Sequence, residues 1–510
     1  MEQPLILTQG RAYRETRRSF ASGQLNRCKI SCFLEKRAEE DFLIGYDSHK
    51  FMQIFSQFYL ELTQFFNEES PAKIILAERE PMRFIAGFLA ACAAGCPVFL
   101  CNPNWVETEW KQVFELVQPD IIWGMSNGEL EKTRKLSIQN HGHLLNEANL
   151  HTALSSKSQI QNSIMIPTGG SSGKIKFAIH TWETLMASVQ GFQEYFQLNQ
   201  VNFFCVLPLY HVSGLMQFLR SFTTGGKLAI APFKELENGQ ISENIDPREF
   251  FISLVPTQLQ RFLEKPDLTQ WLSQFQTVLL GGAPAWEELL EQARQHKIRL
   301  APTYGMTETA SQIATLKPDE FLQGKQGCGQ ILPHAQITIC SPTGEKLDVN
   351  QAGTINIQTA SLALGYYPNF FPNPNNFQPD DLGIIDNQGY LKIIGRNSNK
   401  IITGGENVFP DEVESAIRDT KLVNDVCVIG IPDKHWGQAV TAIYVPINPG
   451  TYPTQIQTAL KDKLTKFKHP KHWLSLTKLP RNPQGKVNYQ KLQKLVKEEI
   501  ETRMNTDEHG

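Results

Sequence analysis

From about residue 70 the chain alternates short apolar runs, each the length of a buried strand, with amphipathic segments. The runs "KIILA", "VFLC", "FFCVLPL", "FISLVP" and "TVLLGG" contain many β-branched or aromatic residues. Between them, "PAWEELLEQARQHK" has the spacing of one apolar helix face, formed by Trp286, Leu289, Leu290 and Ala293. Strands that alternate with helices form parallel sheets covered by helices. The alternation therefore predicts an α/β domain with mainly parallel sheets.

The most apolar stretch, "FIAGFLAACAAGCPVFLC", runs from Phe84 to Cys101. Gly95 and Pro97 divide it into a helix-length piece and a strand-length piece, which is too short a helix to cross a bilayer. We expect a buried helix that leads into a buried strand. The opening segment, "MEQPLILTQGRAYRETRRSF", has no apolar core of signal-peptide type, so we expect a soluble protein.

Composition narrows the class of protein. With 510 residues, of which 41% are hydrophobic, the chain can bury a large core and divide into two or more domains. A net charge of -3 gives no general basic field of the kind that nucleic-acid binders use. The nine cysteines include no CxxC pair, which favours reduced thiols in the cytoplasm over a zinc site.

A second, smaller unit follows the α/β region. After residue 330 the sequence changes to short strands and turns, a β-rich subdomain in which "YYPNFFPNPNNFQPDD" is expected to be a surface loop. A helix then follows Pro410, with an apolar stripe of Val413, Ala416 and Ile417. We therefore expect a large domain over residues 1–397 and a small α+β domain over residues 398–510. Between Lys461 and Lys497 lie eleven Lys or Arg residues and one acid, which indicates either a solvated face or an anion site.

The segment "MIPTGGSSGKIKFAIHT" raises the first question of chemistry. It is not a Walker A loop, because Ile175 follows Lys174 where that motif needs Ser or Thr. A Gly/Ser segment can be a flexible linker. However, "SIMIP" and "KFAIHT" resemble paired strands, and a tight turn between them presents backbone N–H groups, the Ser171 and Ser172 hydroxyls and Lys176 to a polyphosphate.

Three further segments carry chemistry, each with a plainer alternative. In "APTYGMTETASQ", Thr307 offers a hydroxyl and Glu308 an oxygen ligand for Mg²⁺, although Glu308 taken by itself is more simply interpreted as an exposed loop acid. In "DDLGIIDNQGYLKIIGR", Asp381 and Arg396 suit a ribose or a phosphate, or form a surface ion pair. In "LPRNPQGKVNYQKL", a turn ends at Lys486, which is either functional or simply solvated.

Together these four segments resemble the acyl-adenylate-forming superfamily of acyl-CoA synthetases, adenylation domains and luciferases over nearly the whole chain. The resemblance implies an adenylation domain with a mobile carboxy-terminal domain, and ATP and Mg²⁺ as cofactors. Glu308 would hold the metal. The residues implied to contact ATP are Thr168, Gly169, Gly170, Ser171, Ser172, Gly173, Lys176, Gly281, Gly282, Ala283, Thr303, Tyr304, Gly305, Met306, Thr307, Asp381, Arg396 and Lys486.

Three positions depart from the pattern of the superfamily. Gly169 stands where Ser is usual, and Ile175 replaces the loop proline. Neither change removes a charge, so we expect phosphate binding to persist. Asn399 falls where the hinge usually has Asp, which implies different hinge electrostatics.

Several segments are most similar to one subgroup, the 2-succinylbenzoate-CoA ligases of menaquinone and phylloquinone synthesis. They are "LPLYHVSGL", "SLVPTQLQRFL", "VLLGGAPA", "TYGMTETASQIATL" and "GGENVFPDEVE". This resemblance implies that a substrate carboxylate attacks the α-phosphate of ATP to give an acyl-adenylate, with catalytic roles for Lys176, His211, Thr307, Glu308 and Lys486. The acid would be held by His211, Ser213, Thr309 and Ser311.

In the second step that the resemblance implies, the thiol of coenzyme A attacks the acyl-adenylate and AMP leaves. The small domain would rotate at its hinge, withdraw Lys486 and bring Gly404 and Gly405 to the site. Trp436 and Phe467 match positions that contact coenzyme A in related ligases. The expected partners are therefore a small carboxylic acid, ATP and coenzyme A, with no nucleic acid.

Three alternatives remain at this stage. The acid could instead be a fatty, aryl or cinnamyl carboxylate. The chain could be a noncatalytic nucleotide-binding relative, although such a protein has no need of Lys486. It could also feed a carrier protein, but no segment after the small domain resembles one.

Overall fold

The computed structural model describes residues 25–37, 40–65, 71–125, 160–169, 175–240, 245–373, 376–397, 399–403, 406–433, 436–461, 463–481 and 486–507. Its α-helices, in chain order, are α1 Leu25–Arg37, α2 Ser48–Phe65, α3 Pro81–Ala94, α4 Glu107–Val117, α5 Trp182–Phe196, α6 Val212–Thr223, α7 Phe233–Glu237, α8 Pro256–Leu263, α9 Pro266–Leu272, α10 Glu287–Gln295, α11 Pro318–Leu322, α12 Pro410–Arg418, α13 Pro453–Leu460 and α14 Tyr489–Asp507. Short 3₁₀ helices cover Pro247–Glu249, Thr307–Thr309 and Lys466–Lys468.

The strands fall into four sheets. In chain order they are β1 Ile74–Leu76, β2 Val98–Leu100, β3 Ile121–Trp123, β4 Ser163–Gly169, β5 Ile175–Thr181, β6 Asn202–Cys205, β7 Leu228–Ile230, β8 Phe250–Leu254, β9 Thr277–Leu280, β10 Leu300–Met306, β11 Ser311–Thr315, β12 Gln330–Ile331, β13 Ala335–Cys340, β14 Gly353–Thr359, β15 Gly365–Tyr366, β16 Asn369–Phe370, β17 Asp381–Ile385, β18 Leu391–Arg396, β19 Ile401–Thr403, β20 Glu406–Val408, β21 Val423–Asp433, β22 Gly437–Pro446 and β23 His472–Ser475.

The first sheet has seven strands in the order β16-β15-β5-β4-β2-β1-β3. Strands β3, β1, β2 and β4 run parallel, and β5 and β15 then add antiparallel pairs at one side. Helix α3 begins at Pro81, where Glu80 accepts hydrogen bonds from two backbone N–H groups, and ends at Gly95 in the left-handed conformation. Nearly every residue of α3 is buried, which explains why its sequence is apolar all round.

The second sheet also has seven strands, in the order β12-β11-β10-β9-β8-β6-β7. Strands β7, β6, β8, β9 and β10 are parallel, whereas β11 and β12 are antiparallel to their neighbours. In an open parallel sheet, ligands bind beyond the carboxyl ends of the strands. The loop after β9 and the 3₁₀ helix after β10 lie at that edge.

Two smaller sheets complete the fold. Strands β13, β14, β17 and β18 form an antiparallel sheet, and β19 to β23 form another with the order β20-β19-β22-β21 and β23 beside β22. The last sheet packs with α12 and α13 around its own core, which includes Val413, Ile417 and Tyr444. We call this sheet with α12, α13 and α14 the carboxy-terminal unit.

The structure confirms the predicted α/β architecture and corrects two details. Each predicted strand is present, "SIMIP" and "KFAIHT" lie in paired strands, and α3 leads into β2 as expected. The two large sheets are mixed, with parallel strands at one side and antiparallel strands at the other. The predicted loop over residues 366–381 is partly wrong, because β16 lies within it and pairs with β15. Among the described helices, none is both long and apolar enough to cross a membrane.

A glycine substitution tests the close packing of β10 against β11. A Cβ atom at Gly305 would lie 2.1 Å from the carbonyl oxygen of Ser311 and 2.5 Å from the Cα of Gln312, both backbone atoms. We expect Gly305→Ala to lower the free energy of unfolding by about 1–3 kcal/mol, because the two strands must separate. The control is Gly450→Ala, since nothing lies within 4 Å of the added atom. Equal urea midpoints for the two variants would contradict this packing.

Candidate active site

The paired strands β4 and β5 frame the predicted phosphate loop. Gly169 pairs with Ile175 and Thr168 pairs with Lys176, so Thr168 and Lys176 stand opposite each other at the open end of the pair. The loop residues Gly170, Ser171, Ser172 and Gly173 lie outside the described residues. Phosphate contact by this loop stays a prediction.

Glu308 lies in the 3₁₀ helix that follows β10, and its side chain is buried, with 8% of the residue exposed. Tyr366 donates a 2.6 Å hydrogen bond to Glu308 Oε1, and Thr168 Oγ1 lies 3.5 Å from the same oxygen. Lys176 Nζ lies 5.2 Å from the centre of the Tyr366 ring. The structure thus decides against an exposed loop acid and brings Glu308 to the end of the β4–β5 pair.

Two residues that support Glu308 were missed by the sequence analysis. Burial and the Glu308 carboxylate raise the pKa of Tyr366, so its phenol stays protonated and donates. His180, fully buried on β5, donates from Nε2 to the carbonyl of Thr307 at 2.8 Å, and its Nδ1 lies 3.0 Å from the hydroxyl of Thr184. Burial lowers the pKa of His180 to about 4, so the ring is neutral. A histidine inside the apolar run "KFAIHT" was the available signal.

Asp381 begins β17 directly opposite Arg396 on β18. Its carboxylate accepts a 2.7 Å hydrogen bond from the Tyr304 hydroxyl and a 3.1 Å hydrogen bond from Arg396 Nε. Asp381 is buried, whereas the Arg396 side chain is 57% exposed, so this is not a surface pair. Burial and the Asp381 carboxylate raise the pKa of Tyr304, which keeps the phenol a donor. The third sheet is thereby joined to β10.

Several of the predicted ATP contacts lie at the carboxyl ends of β9 and β10. Gly281 follows β9, and a Cβ there would meet the Thr303 hydroxyl at 2.5 Å. Gly282 has a φ of +81°, a conformation that favours glycine. Ala283 continues this loop, while Tyr304, Gly305 and Met306 complete β10. The loop therefore has no large side chain where a flat base would need to approach the backbone closely.

Lys486 belongs to the carboxy-terminal unit but interacts electrostatically with residues of three other elements. Burial, followed by Arg396, lowers the pKa of Lys486, whereas Glu308 and Asp381 act to raise it. The lysine residue is nevertheless exposed to solvent. The unit is therefore oriented so that its lysine interacts electrostatically with both carboxylates.

His211 caps the start of α6 without using its side chain, and its ring lies 4.5 Å from that of Tyr210. Burial, with a contribution from Lys486, lowers the pKa of His211 to about 3. The imidazole is therefore a neutral polar group, not a cation, beside the catalytic lysine candidate. Ser213 follows in the first turn of α6.

The other predicted acid contacts have local partners. The fully buried Thr309 hydroxyl accepts from the backbone N–H of Met306 at 3.0 Å and donates to the carbonyl of Ser311 at 2.7 Å. Thr309 therefore shapes the turn between β10 and β11. Ser311 Oγ lies 3.5 Å from Gln312 Oε1. The backbone of Ser311 has a φ of 89°.

The structure brings a buried guanidinium near this turn, and sequence reasoning missed it. Arg220 on α6 is 1% exposed, donates from Nη1 to Gln312 Oε1 at 3.1 Å and stacks 4.3 Å from the centre of the Phe192 ring. Among the described residues, its Nε and Nη2 and both ring nitrogens of His334 have no hydrogen-bond partner. Burial lowers the pKa of Arg220 to about 9, and burial together with Arg220 lowers that of His334 to about 4.

The residues predicted to contact coenzyme A lie in the carboxy-terminal unit. Trp436 is 36% exposed, and Lys471 Nζ lies 4.9 Å from the centre of its ring. Phe467 lies in the last 3₁₀ helix and packs against the core of the unit. Asn399 donates its backbone N–H to the carbonyl of Arg396 at 3.2 Å, just before β19. Gly404 and Gly405 lie outside the described residues.

The donor set fits magnesium bound together with a nucleotide. Within the described part of the chain, no three His, Cys, Asp or Glu side chains cluster so as to hold a metal alone. Mg²⁺ is usually held by one or two carboxylates, with phosphate and water as its other ligands. The buried Glu308 carboxylate beside the Thr168 hydroxyl supplies such a partial site.

Comparison with known proteins places this geometry in a family. The AMP-binding enzyme family matches residues 70–367, and the AMP-binding enzyme C-terminal domain matches residues 412–486. A 2-succinylbenzoate–CoA ligase of Enterococcus faecalis is 31% identical over 326 residues, which cover 63% of this chain and 67% of the relative.

Two solved structures of o-succinylbenzoate CoA synthetase from Bacillus subtilis share the fold. One, in complex with the acyl-adenylate intermediate OSB-AMP, has a TM-score of 0.76 at 23% identity and covers 92% of this chain and 98% of its own. The other, in complex with ATP and magnesium ion, has a TM-score of 0.73 at 23% identity and covers 89% and 98%. Because the first family match spans more than half of the chain, this protein belongs to the AMP-binding enzyme family.

Proposed function

We propose that the chain is an ATP-dependent acid–thiol ligase that converts 2-succinylbenzoate to 2-succinylbenzoyl-CoA through an acyl-adenylate, in menaquinone or phylloquinone biosynthesis. The similarity to a curated ligase of that name supports this acid. The observation that carries the reaction type is the electrostatic interaction of Lys486 with the Glu308 and Asp381 carboxylates. A cation that faces an assembled nucleotide site is what carboxylate adenylation requires.

In the first step, the acid's carboxylate attacks the α-phosphate of ATP and pyrophosphate leaves. Lys176 and Thr168, at the ends of β5 and β4, would hold the β- and γ-phosphates with the loop between them. Glu308 and the Thr168 hydroxyl would hold Mg²⁺, which supplies charge neutralisation at the phosphates. The Lys486 ammonium would lie between the attacking carboxylate and the α-phosphate, where it stabilises the negative charge of the transition state.

The nucleoside would be held by the opposite side of the site. Asp381, fixed by Tyr304, accepts from ribose hydroxyls through the remaining lone pairs of its carboxylate. Arg396 is exposed enough to contact the ribose or a phosphate. The loop of Gly281, Gly282 and Ala283 lets the adenine approach the backbone. These roles agree with the position of the glycine loop at the carboxyl edge of the second sheet and with the hydrogen bond that holds Asp381 to Tyr304.

Arg220 supports an acid with a second carboxylate. A buried cation with two nitrogen atoms that donate to nothing among the described residues carries an energetic cost. A second carboxylate in the acyl pocket would offset it through charge-assisted hydrogen bonds. His334, neutral and similarly unpartnered there, would donate one further hydrogen bond. A plain aryl or fatty acid would leave all of these groups unsatisfied.

The second step needs coenzyme A and a different orientation of the carboxy-terminal unit. We assign residues 1–397 to the adenylation domain and 398–510 to a mobile domain that rotates near Asn399. Rotation would withdraw Lys486 and bring Gly404 and Gly405 to the acyl-adenylate. Trp436 and Phe467, with the basic carboxy-terminal stretch, would contact coenzyme A. The thiol then attacks the acyl carbon and AMP leaves.

The direct test is formation of a CoA thioester from ATP, Mg²⁺, CoA and each of 2-succinylbenzoate, benzoate and octanoate. We expect kcat/KM for 2-succinylbenzoate to exceed that for benzoate at least about tenfold, because charge-assisted hydrogen bonds contribute roughly 1.5–3 kcal/mol. Preference for benzoate or octanoate would favour the alternative, a ligase for another aryl or fatty acid. Absence of every thioester would contradict the ligase assignment.

Replacing the lysine separates the two steps. We expect Lys486→Ala to slow adenylate formation by about 10²–10³-fold, since a fixed charge at the transition state is lost. Thioester formation from supplied 2-succinylbenzoyl-adenylate should keep most of its rate. Lys478→Ala is the matched control, because Lys478 is exposed in the same unit. Equal loss in both steps would count against the two-orientation scheme.

Replacing the buried guanidinium tests the acid. We expect Arg220→Met to raise KM for 2-succinylbenzoate at least about tenfold while benzoate is little affected, because only the dicarboxylate loses a charge-assisted contact. Removal of an uncompensated buried charge need not destabilise the protein, so the thermal midpoint serves as the folding control. Arg220→Lys keeps the charge but not both nitrogen donors, so its KM for 2-succinylbenzoate should lie between those of the wild type and Arg220→Met. An unchanged ratio of kcat/KM for the two acids would refute this role.

A further inference from the structure

We infer that Trp286 and Glu288, at the start of α10, are positioning residues that hold the carboxy-terminal unit in the orientation for adenylation. The inference rests on the proposed two-step function, because it concerns which orientation the first step uses. Neither residue is among those assigned to the nucleotide site above. Their role would be exerted through Arg418 and Lys421 of the carboxy-terminal unit.

Two side-chain contacts join α10 to the end of α12. The guanidinium carbon of Arg418 lies 5.1 Å from the centre of the Trp286 ring. Lys421 Nζ lies 3.7 Å from Glu288 Oε1. Trp286 and Glu288 belong to the helix layer of the second large sheet. Arg418 and Lys421 belong to the carboxy-terminal unit. The contacts therefore exist only while the unit sits as the structure has it.

The same arginine is tied into the interior of the carboxy-terminal unit. Arg418 Nη2 donates to the carbonyl of Val426 at 2.8 Å and lies 3.4 Å from Glu414 and 4.0 Å from Asp425. With 16% of its side chain exposed, Arg418 is held in place by these acceptors. Contacts within the carboxy-terminal unit thus fix the position of the Arg418 guanidinium that packs against Trp286.

Asp425 extends this connection to the neighbour of Lys486. Arg481 donates from Nη2 to both carboxylate oxygens of Asp425, at 2.9 Å and 2.8 Å. Arg481 also pairs in an antiparallel bridge with Val487, the residue that follows Lys486. A continuous path of contacts therefore runs from Trp286 through Arg418, Asp425 and Arg481 to Val487, which is next to Lys486.

The strength of the two contacts suits an orientation that must be released in each turnover. Lys421 is 76% exposed, and ion pairs between exposed side chains contribute little and are screened by salt. The partly buried cation–π contact is stronger but still modest. Together they bias the orientation by roughly threefold to thirtyfold, by the conversion of about 1.4 kcal/mol per factor of ten. A much tighter contact would trap the acyl-adenylate.

The experiment uses the full chain and a charge exchange across the contact. Glu288→Lys and Lys421→Glu are each expected to slow adenylate formation about threefold at low salt, and the double variant should restore it. Thioester formation from supplied acyl-adenylate should not fall in any of them. Glu291→Lys is the matched control, since Glu291 lies on the same helix but pairs with Arg294. Trp286→Leu should act as the single charge variants do, but without salt dependence.

The acid used is whichever of the panel the wild type adenylates, so failure of 2-succinylbenzoate alone does not bear on the contact. Small-angle scattering of the ATP-bound chain reads the orientation without any acid. We expect the single charge variants to shift the profile and the double variant to restore it. Equal slowing of both half-reactions, no rescue in the double variant, or identical profiles throughout would each overturn the inference.

Discussion

The burial of two carboxylates, Glu308 and Asp381, is the constraint on which the arrangement of the sheets depends. A buried charge is tolerated only with partners, and a protein that buries two must bring several donors to them. Glu308 accepts hydrogen bonds from Tyr366 and Thr168 of the first sheet. Asp381 accepts hydrogen bonds from Tyr304 of the second sheet and Arg396 of the third. The same contacts that satisfy the carboxylates therefore hold three sheets around one site.

This arrangement sets the electrostatic surroundings of one lysine from the carboxy-terminal unit. Burial and Arg396 disfavour the protonated form of Lys486, whereas Glu308 and Asp381 favour it. Bound phosphates would tip that balance toward the protonated form. His211, kept neutral in the same region, adds no competing charge. The site is thus prepared for an anionic nucleotide and an anionic acid together.

Local sequence signals were sufficient for the elements, and they supplied the candidate residues of the proposed site. The spacing of apolar residues and the residue types at turns predicted α10, α12 and the β4–β5 pair, because each element depends on residues within a few positions. The motif residues Glu308 and Asp381 were likewise visible. Their partners were not: Tyr366 lies 58 residues from Glu308, and His180 lies 127 residues from Thr307. Such pairings are made by the tertiary fold and leave no periodic trace.

Two other features escaped prediction for physical reasons. Strands of two residues, such as β15 and β16, are too short to show alternation, so the segment resembled a loop. Arg220 lies on an apolar helix face, where an arginine usually extends to solvent. Only the structure reveals that Phe192 and Gln312 enclose it and leave two of its nitrogens without acceptors among the described residues.

The central claim is that one site, assembled around two buried carboxylates and Lys486, activates a carboxylic acid as its adenylate before any thiol takes part. Isotope exchange between labelled pyrophosphate and ATP, measured without coenzyme A, tests it most directly. We predict exchange that requires both Mg²⁺ and 2-succinylbenzoate. Exchange that is absent until coenzyme A is added, or that proceeds equally well without any acid, would contradict the account.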